Sequence, residues 1–272
     1  MYGFEYHRPG SVEAALSLLG ENDDAKLLAG GQTLIPTMKL RLASPSALID
    51  LNAIPELTGI EVGPNHVSIG AMTRHAAVAD SQEVRQAIPA LAELVGLIGD
   101  PAVRHMGTIG GSIANNDPAA DYPAACLALG ATIRTDRREI PADDFFTGMF
   151  ETALEPDEII TRVDFPVPRR AGYEKFRNPA SRYALVGVFV AERGDEVRVA
   201  VTGAGPGVFR VPEMEAALKG RFAAEALEGI SVPAEGLNSD IHASAAYRAH
   251  LVSVMARRAV ASAAARPPRP EM

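Results

Sequence analysis

The alternation of apolar and polar positions along this chain switches repeatedly between two periods. FEYH reads as a short extended piece that Pro9 interrupts. Ser11 then stands as a helix cap ahead of an apolar run ending at Gly20. AKLLAGG predicts a short buried strand running into a glycine turn, and QTLIPTMKLRLA a helix with Leu34, Met38 and Leu42 on one face and Pro36 in its first turn. SALIDLN and HVSIGAM are strand-like, so strand and helix alternate, the mark of a layered α/β or α+β fold. Residues 86–98 predict a helix, PAVRHMGTIGG leads into a second glycine turn, and PAACLALGATI reads as a buried helix giving way to a strand.

EIITRVDFPVP predicts the strand that closes the first region, and RRAG the start of a linker, which places a domain boundary near residues 166–172. Beyond it, ALVGVFVAER and EVRVAVTGAG are the clearest strands. In the second, Val197, Val199 and Val201 alternate with Arg198 and Ala200, the period of a half-buried strand. VPEMEAALKG and HASAAYRAHLVSVMARRAVASAAA predict helices, the latter with Tyr247, Leu251, Val254 and Arg258 sharing a face. ARPPRPEM lacks the apolar content to fold and is expected to be disordered.

Composition narrows the function. With 272 residues, 47% hydrophobic and 22% charged, the chain can build real cores in one or two domains. A net charge of −8 without a dense Lys/Arg stripe argues against a nucleic-acid partner. The single cysteine, Cys126, excludes an internal disulfide and any cysteine-held iron–sulfur or zinc site supplied by this chain alone; on its apolar helix it reads as a small buried hydrophobe. No signal peptide and no apolar stretch of spanning length is apparent, so a cytoplasmic protein without a transmembrane segment is expected. No histidine spacing suits a metal, no Gly-x-Ser-x-Gly elbow is present, and Asp143-Asp144 reads as a polar turn; no metal site and no catalytic side chain are assigned.

The chemistry concentrates in LAGGQTL (28–34) and GTIGGSIANNDP (107–118), each a Gly pair beside hydroxyl side chains. A Gly pair allows positive φ and lets an anion approach the main chain, and successive amides can then converge on its oxygens. The helix leaving the first turn adds positive potential, and Thr33, Thr108 and Ser112 offer hydroxyls. Neither segment is a Walker or a Gly-x-Gly-x-x-Gly motif, which disfavours a triphosphate hydrolase and a Rossmann site. Either segment alone reads as a plain turn. Together they suit a bridging diphosphate. Arg104 and His105, just ahead of the second, either reach a phosphate or face solvent.

AGGQTLIPTMKLRL, LIDLN, SIGAMTRHA, RHMGTIGGSIANNDPAADYPAACLALGA and YEKFRNPASRYALVG, in this order and spacing, resemble the FAD-binding medium subunit of the molybdenum hydroxylase family, which includes carbon monoxide dehydrogenase and xanthine dehydrogenase-type enzymes. The resemblance implies an α+β fold: a p-cresol methylhydroxylase-type FAD-binding domain over 1–170 in two subdomains (about 1–55 and 56–170), then a smaller C-terminal domain over 171–272 with a three-stranded sheet and helices. It implies non-covalent FAD, with Leu28, Ala29, Gly30, Gly31, Gln32, Thr33 and Leu34 around the pyrophosphate. Thr108, Ile109, Gly110, Gly111 and Ser112 complete that cradle. Asp117 would hydrogen-bond ribityl or ribose hydroxyls, Lys175 would lie near the pyrimidine end of the ring as a cation favouring the reduced flavin, and Tyr183 would sit beside the ring. The residues also carry plainer readings: Lys175 a solvated strand lysine, Tyr183 a domain-packing aromatic, Asp117 a cap for the next helix. Asn115 is a departure, because many relatives have Ala-His-Ala-Asp-Pro where this chain has Ala114-Asn115-Asn116-Asp117-Pro118.

The same resemblance implies an oxidoreductase subunit for electron transfer. Its FAD would take electrons from a small 2Fe-2S subunit, fed by a large molybdopterin subunit, and hand them to a quinone, cytochrome, NAD or oxygen. Molybdopterin and 2Fe-2S would reside only in the partner subunits, in a dimer of heterotrimers. A stand-alone flavin oxidase of the same superfamily and a flavin-free scaffold subunit are the competing functions.

Overall fold

The structure, a computed structural model, describes residues 1–269. The N-terminal part is a right-sized α/β unit. Strand β1 (Glu5–His7) leads through α1 (Val12–Gly20) to β2 (Lys26–Leu28), then through α2 (Leu34–Lys39) to β3 (Ala47–Asp50). The three strands are parallel with β3 in the middle, so α1 is the crossover that joins the two neighbours of β3 and α2 returns the chain from β2 to β3. Ser11 caps α1 as expected, its hydroxyl accepting from the Ala14 amide. Helix α2 is shorter than the sequence pattern suggested. It stops at Lys39, only Met38 of its residues is buried, and Leu40 and Leu42 stand 70% and 76% exposed. The Arg41 backbone turns left-handed (φ 61) while the Leu42 amide reaches back to the Thr37 carbonyl, and this helix-ending turn carries Leu42 off the inward face.

The second part is built on an antiparallel sheet of β4 (Ile60–Val62), β5 (His66–Gly70), β6 (Thr132–Thr135), β7 (Glu139–Pro141) and β10 (Ile160–Pro166), in the order β4-β5-β10-β6-β7. Between β5 and β6 the chain runs through α3 (His75–Asp80), α4 (Gln82–Ala87), α5 (Pro89–Gly96), α6 (Pro101–Met106), α7 (Ile109–Asn115) and α8 (Tyr122–Leu129). The single helix expected over 86–98 is in fact two, because Pro89 cannot continue α4 and instead opens α5. Helix α9 (Ala142–Phe145) and the hairpin of β8 (Phe146–Gly148) and β9 (Glu151–Thr152) follow β7. Asp143 and Asp144 lie in the short helix α9 rather than in a turn, and Asp143 pairs with Arg198 and Arg210.

The C-terminal part is an antiparallel sheet of β11 (Arg170–Arg177), β12 (Ala184–Arg193) and β13 (Glu196–Thr202), extended by the two-residue β14 (Phe209–Arg210), with α10 (Pro212–Gly220) and α11 (Ala245–Ala264). RRAG is no linker. It begins β11, and only three residues separate β10 from β11. Strand β12 is buried on both faces: Val186, Val188 and Val190 pack toward α11, while Phe189 and Ala191 join the core of the preceding part with Tyr173 and α8. The alternation in β13 is also present, yet its polar face is covered too, since Arg198 donates to the Leu127 carbonyl at the end of α8. On α11 the buried stripe is Arg248, Leu251, Val252, Met255, Ala259 and Ala263, sharing only Leu251 with the face predicted, because alanines carry the stripe beyond Met255. Tyr247 and Arg258 are exposed. Of the tail expected to be disordered, Arg266 pairs with Glu93 and the Arg269 amide donates to the Arg169 carbonyl, while residues 270–272 lie outside the described residues.

Candidate cofactor site

A cleft of about 650 Å³ runs across all three parts. Its walls bring together Ala29, Gly30, Gly31, Gln32, Thr33 and Leu34 with Thr108, Gly110, Gly111, Ser112, Asn115, Asp117, Lys175 and Tyr183. Leu28 and Ile109 are absent from the wall. Leu28 ends β2 under the first turn, and Ile109 is fully buried in the core.

The two glycine segments lie against each other. A Cβ on Gly30 would overlap the Met106 carbonyl and the Gly107 Cα, and one on Gly111 would come within 3.2 Å of the Ala29 Cβ. Arg74 ties them further, donating to the Met106 carbonyl and to the Asn52 side chain, whose own amide reaches the Ala29 carbonyl at 3.2 Å. Sequence reasoning passed over both Arg74 and Asn52, because nothing local marks a residue whose partners are 22 and 32 positions away.

Their backbones differ. Gly31 is left-handed (φ 67), as a glycine turn requires, and among the described residues the amides of Gly31, Gln32 and Thr33 meet no acceptor. The second segment is not a loop. Gly110 and Gly111 lie in the first turn of α7, capped by the Thr108 hydroxyl, which accepts from the Gly111 amide at 3.1 Å. The Ile109 amide donates to the Thr73 carbonyl, that of Gly110 to the Ala71 carbonyl and that of Ser112 to the Thr108 carbonyl. These amides are turned inward, and the segment offers the cleft side chains rather than a nest. Asn116 ends α7 in a left-handed turn (φ 42), its side chain bonded to the Gly148 and Glu151 carbonyls. Asn115 beside it faces the cleft.

His75, also unmarked by sequence reasoning, lines the cleft behind Gly107; it is 4% exposed, its Nδ1 has no partner among the described residues, and its ring lies 5.4 Å from that of Tyr122. Burial, with Arg74 and Arg104 adding to it, pushes its imidazole down to about 4, so it is neutral at physiological pH. Arg104 does not reach the cleft: its guanidinium donates to the Ile98 carbonyl at 2.9 Å, and His105 is exposed. Glu158 in the far wall is held down to about 2 by the two hydrogen bonds from Arg138, an ion pair spent on structure. Burial pushes the Cys126 thiol far up, in keeping with a packing role.

Lys175 is not a solvated lysine. Its side chain is 1% exposed, its Nζ lies 2.9 Å from Asp121 Oδ2 and donates to the Leu97 carbonyl at 3.1 Å, and Tyr173 donates to the other Asp121 oxygen. Asp117 does not cap α8. Its carboxylate accepts from the Ala119 amide at 2.8 Å in a tight turn, and α8 begins only at Tyr122. Tyr183 is 54% exposed at the cleft mouth, so it is not spent on domain packing.

The cleft thus has unpartnered amides in its N-terminal wall and a buried Lys175–Asp121 pair in its C-terminal wall, donors of the kind an extended, phosphate-bearing cofactor would use. The model of the family described as "FAD binding domain in molybdopterin dehydrogenase" matches residues 2–168, and that of the "CO dehydrogenase flavoprotein C-terminal domain" matches residues 171–263. The chain belongs to this family of flavoproteins: it is an oxidoreductase subunit with an α+β FAD-binding domain followed by a C-terminal domain, and its cofactor is FAD. It is 40% identical to the nicotine 6-hydroxylase medium subunit of Paenarthrobacter nicotinovorans, over 96% of this chain and 97% of that one. It is 39% identical to the carbon monoxide dehydrogenase medium chain of Hydrogenophaga pseudoflava, over 97% and 98%. Among solved structures, carbon monoxide dehydrogenase from Hydrogenophaga pseudoflava lacking the Mo-pyranopterin moiety superposes with a TM-score of 0.87 at 40% identity, covering 97% of this chain and 98% of that one. Quinoline 2-oxidoreductase from Pseudomonas putida 86 gives 0.87 at 30%, again over 97% and 98%. Among the described residues no helix is long and apolar enough to cross a membrane.

Proposed function

We propose that this chain is the electron-transfer subunit of a molybdenum hydroxylase complex, its FAD lying in the cleft between the two glycine segments and the C-terminal sheet. The observation that carries the placement is the set of unpartnered amides at Gly31, Gln32 and Thr33, a donor set suited to the pyrophosphate and to little else nearby. FAD, when bound, supplies a two-electron store between one-electron iron–sulfur donors and an external acceptor.

The protein's residues hold and shield it. Gly31 and its neighbours donate to phosphate oxygens. The Thr108 hydroxyl accepts from the Gly111 amide and keeps its own hydrogen to donate to a phosphate oxygen, while Ser112, Asn115 and Asp117 would meet hydroxyls of the sugar chain. Lys175 and Tyr183, from the C-terminal part, would close the end of the cleft that takes the ring. The partners on this reading are a 2Fe-2S subunit and a molybdopterin subunit, assembled as a dimer of heterotrimers in the cytoplasm. This chain's single cysteine is consistent with a cluster held elsewhere. The diverse substrates in the relatives' names fit a substrate pocket in another chain, so none is assigned here.

The purified chain should show the visible absorption of oxidised flavin, or gain it on adding FAD. A colourless protein that takes up no FAD overturns the cofactor placement. In the intact complex, substrate should bleach both cluster and flavin, and stripping FAD should abolish acceptor turnover while the cluster still bleaches. Undiminished turnover after stripping would remove the electron-transfer role.

A further inference from the structure

The cation expected near the flavin is half of a buried ion pair. Lys175 comes from β11 of the C-terminal sheet, Asp121 from the turn ahead of α8, and their side chains are 1% and 4% exposed. The arrangement is fixed from several sides. Tyr173, two residues along the same strand, holds Asp121 Oδ1; the Leu97 carbonyl at the end of α5 takes a second Lys175 hydrogen; and the Thr202 hydroxyl donates to the Ala120 carbonyl at 2.6 Å, pinning the turn itself. Both members lie in the cleft wall with Tyr183 at its mouth.

We infer that Asp121 is a positioning residue that sets the reduction potential of the bound flavin, by fixing Lys175 and cancelling most of its charge at the cleft wall. The inference rests on the FAD placement proposed above. Reduction adds negative charge to the flavin. A lone ammonium in a water-poor site would favour that state strongly, whereas an ammonium 2.9 Å from a carboxylate presents a dipole whose field falls off much faster. Asp121 therefore keeps the flavin's affinity for electrons lower than the lysine alone would make it, so that electrons can leave again.

The test is a spectroelectrochemical titration of the FAD-loaded full chain and its variants. Asp121→Asn keeps the shape and removes the charge. It should retain FAD and favour the reduced form by at least tenfold, a rise of about 30 mV for a two-electron couple. Lys175→Met should shift the potential the other way. The double variant Asp121→Asn with Lys175→Met, two neutral groups in place of the pair, should fold even if a single variant fails to, and should return to within about 30 mV of the parent potential. An Asp121→Asn protein that holds FAD at the parent potential overturns the inference. So does a double variant whose potential falls by about 30 mV or more, because the parent is then behaving as a lone cation. A parent chain that binds no FAD defeats instead the placement beneath it, and the two failures are distinguished by flavin content measured before titration.

Discussion

The two glycine segments look alike in sequence and do opposite things. Around Gly31 the backbone is left-handed and its amides are unclaimed; around Gly110 the backbone is helical and its amides are consumed by Ala71, Thr73 and Thr108. In the first, glycine provides a conformation. In the second it provides proximity, because a Cβ on Gly110 would stand 2.7 Å from the Ala71 Cβ and 2.8 Å from its carbonyl oxygen. A repeated Gly-Gly motif therefore does not report a repeated binding surface. One segment leaves its amides free toward the cleft; the other spends its amides on the fold, offers the cleft side chains, and brings a helix close enough for the first to be held in place.

This contrast is broken most severely at Gly110. Valine there forces α7 off the sheet, and overpacking at a contact this close should cost toward the upper end of the usual range, about 3 kcal/mol. Chemical denaturation of the cofactor-free protein should show the loss at full size. If instead the apoprotein is unharmed and only FAD is lost, the second segment is a binding surface after all.

The next effect is a pH dependence from His75, which leans on Gly107 of the inward-facing segment. Its folded imidazole is held near 4 against an ordinary 6.5, so between those values the unfolded chain binds the extra proton. Stability is then complete above pH 6.5 and falls as pH drops toward 4, by up to about 3 kcal/mol from this one group. Carboxylates titrate in the same window, so the measurement is the difference between the parent and His75→Phe. The variant's unfolding free energy should fall less steeply with acid, and parallel curves would show that the imidazole is not desolvated.

The smallest effect on the fold belongs to Gly31→Ala. A side chain at φ 67 costs about 1 kcal/mol, and the nearest atoms, Ile35 Cγ1 at 3.0 Å and Leu28 Cδ1 at 3.2 Å, belong to side chains rather than backbone. FAD affinity should fall at least tenfold all the same, read by equilibrium dialysis of the flavin. Gly31→Ala and Gly110→Val thus separate conformation from proximity: one loses flavin with a nearly intact fold, the other loses the fold.

What the sequence made legible follows from locality. The strand–turn–helix around Gly30 and Gly31 could be read because its signals, Leu27-Leu28, the Gly pair and Pro36, lie within ten residues. Helix α7 could not, since two glycines at about 1 kcal/mol each argue against a helix that its Thr108 cap and the burial of Ile109 and Ile113 secure. The same limit hid the Lys175–Asp121 pair. Its members are 54 residues apart, and a lysine in a strand looks solvated until the helix covering it is known. Family resemblance supplied Lys175 but not the carboxylate that pairs with it, so the ion pair was not legible.

The burial of both faces of β12 bears on how this protein could be taken apart. Phe189 and Ala191 complete a core begun by β5, α5 and α8, so the two stretches recognised as separate families share one interior. The seam between them is a boundary in heredity and not in mechanics. Exchanging the C-terminal stretch with that of a relative would join two half-interiors shaped for other counterparts, and modular swaps in this family must carry α8 along with the sheet it covers.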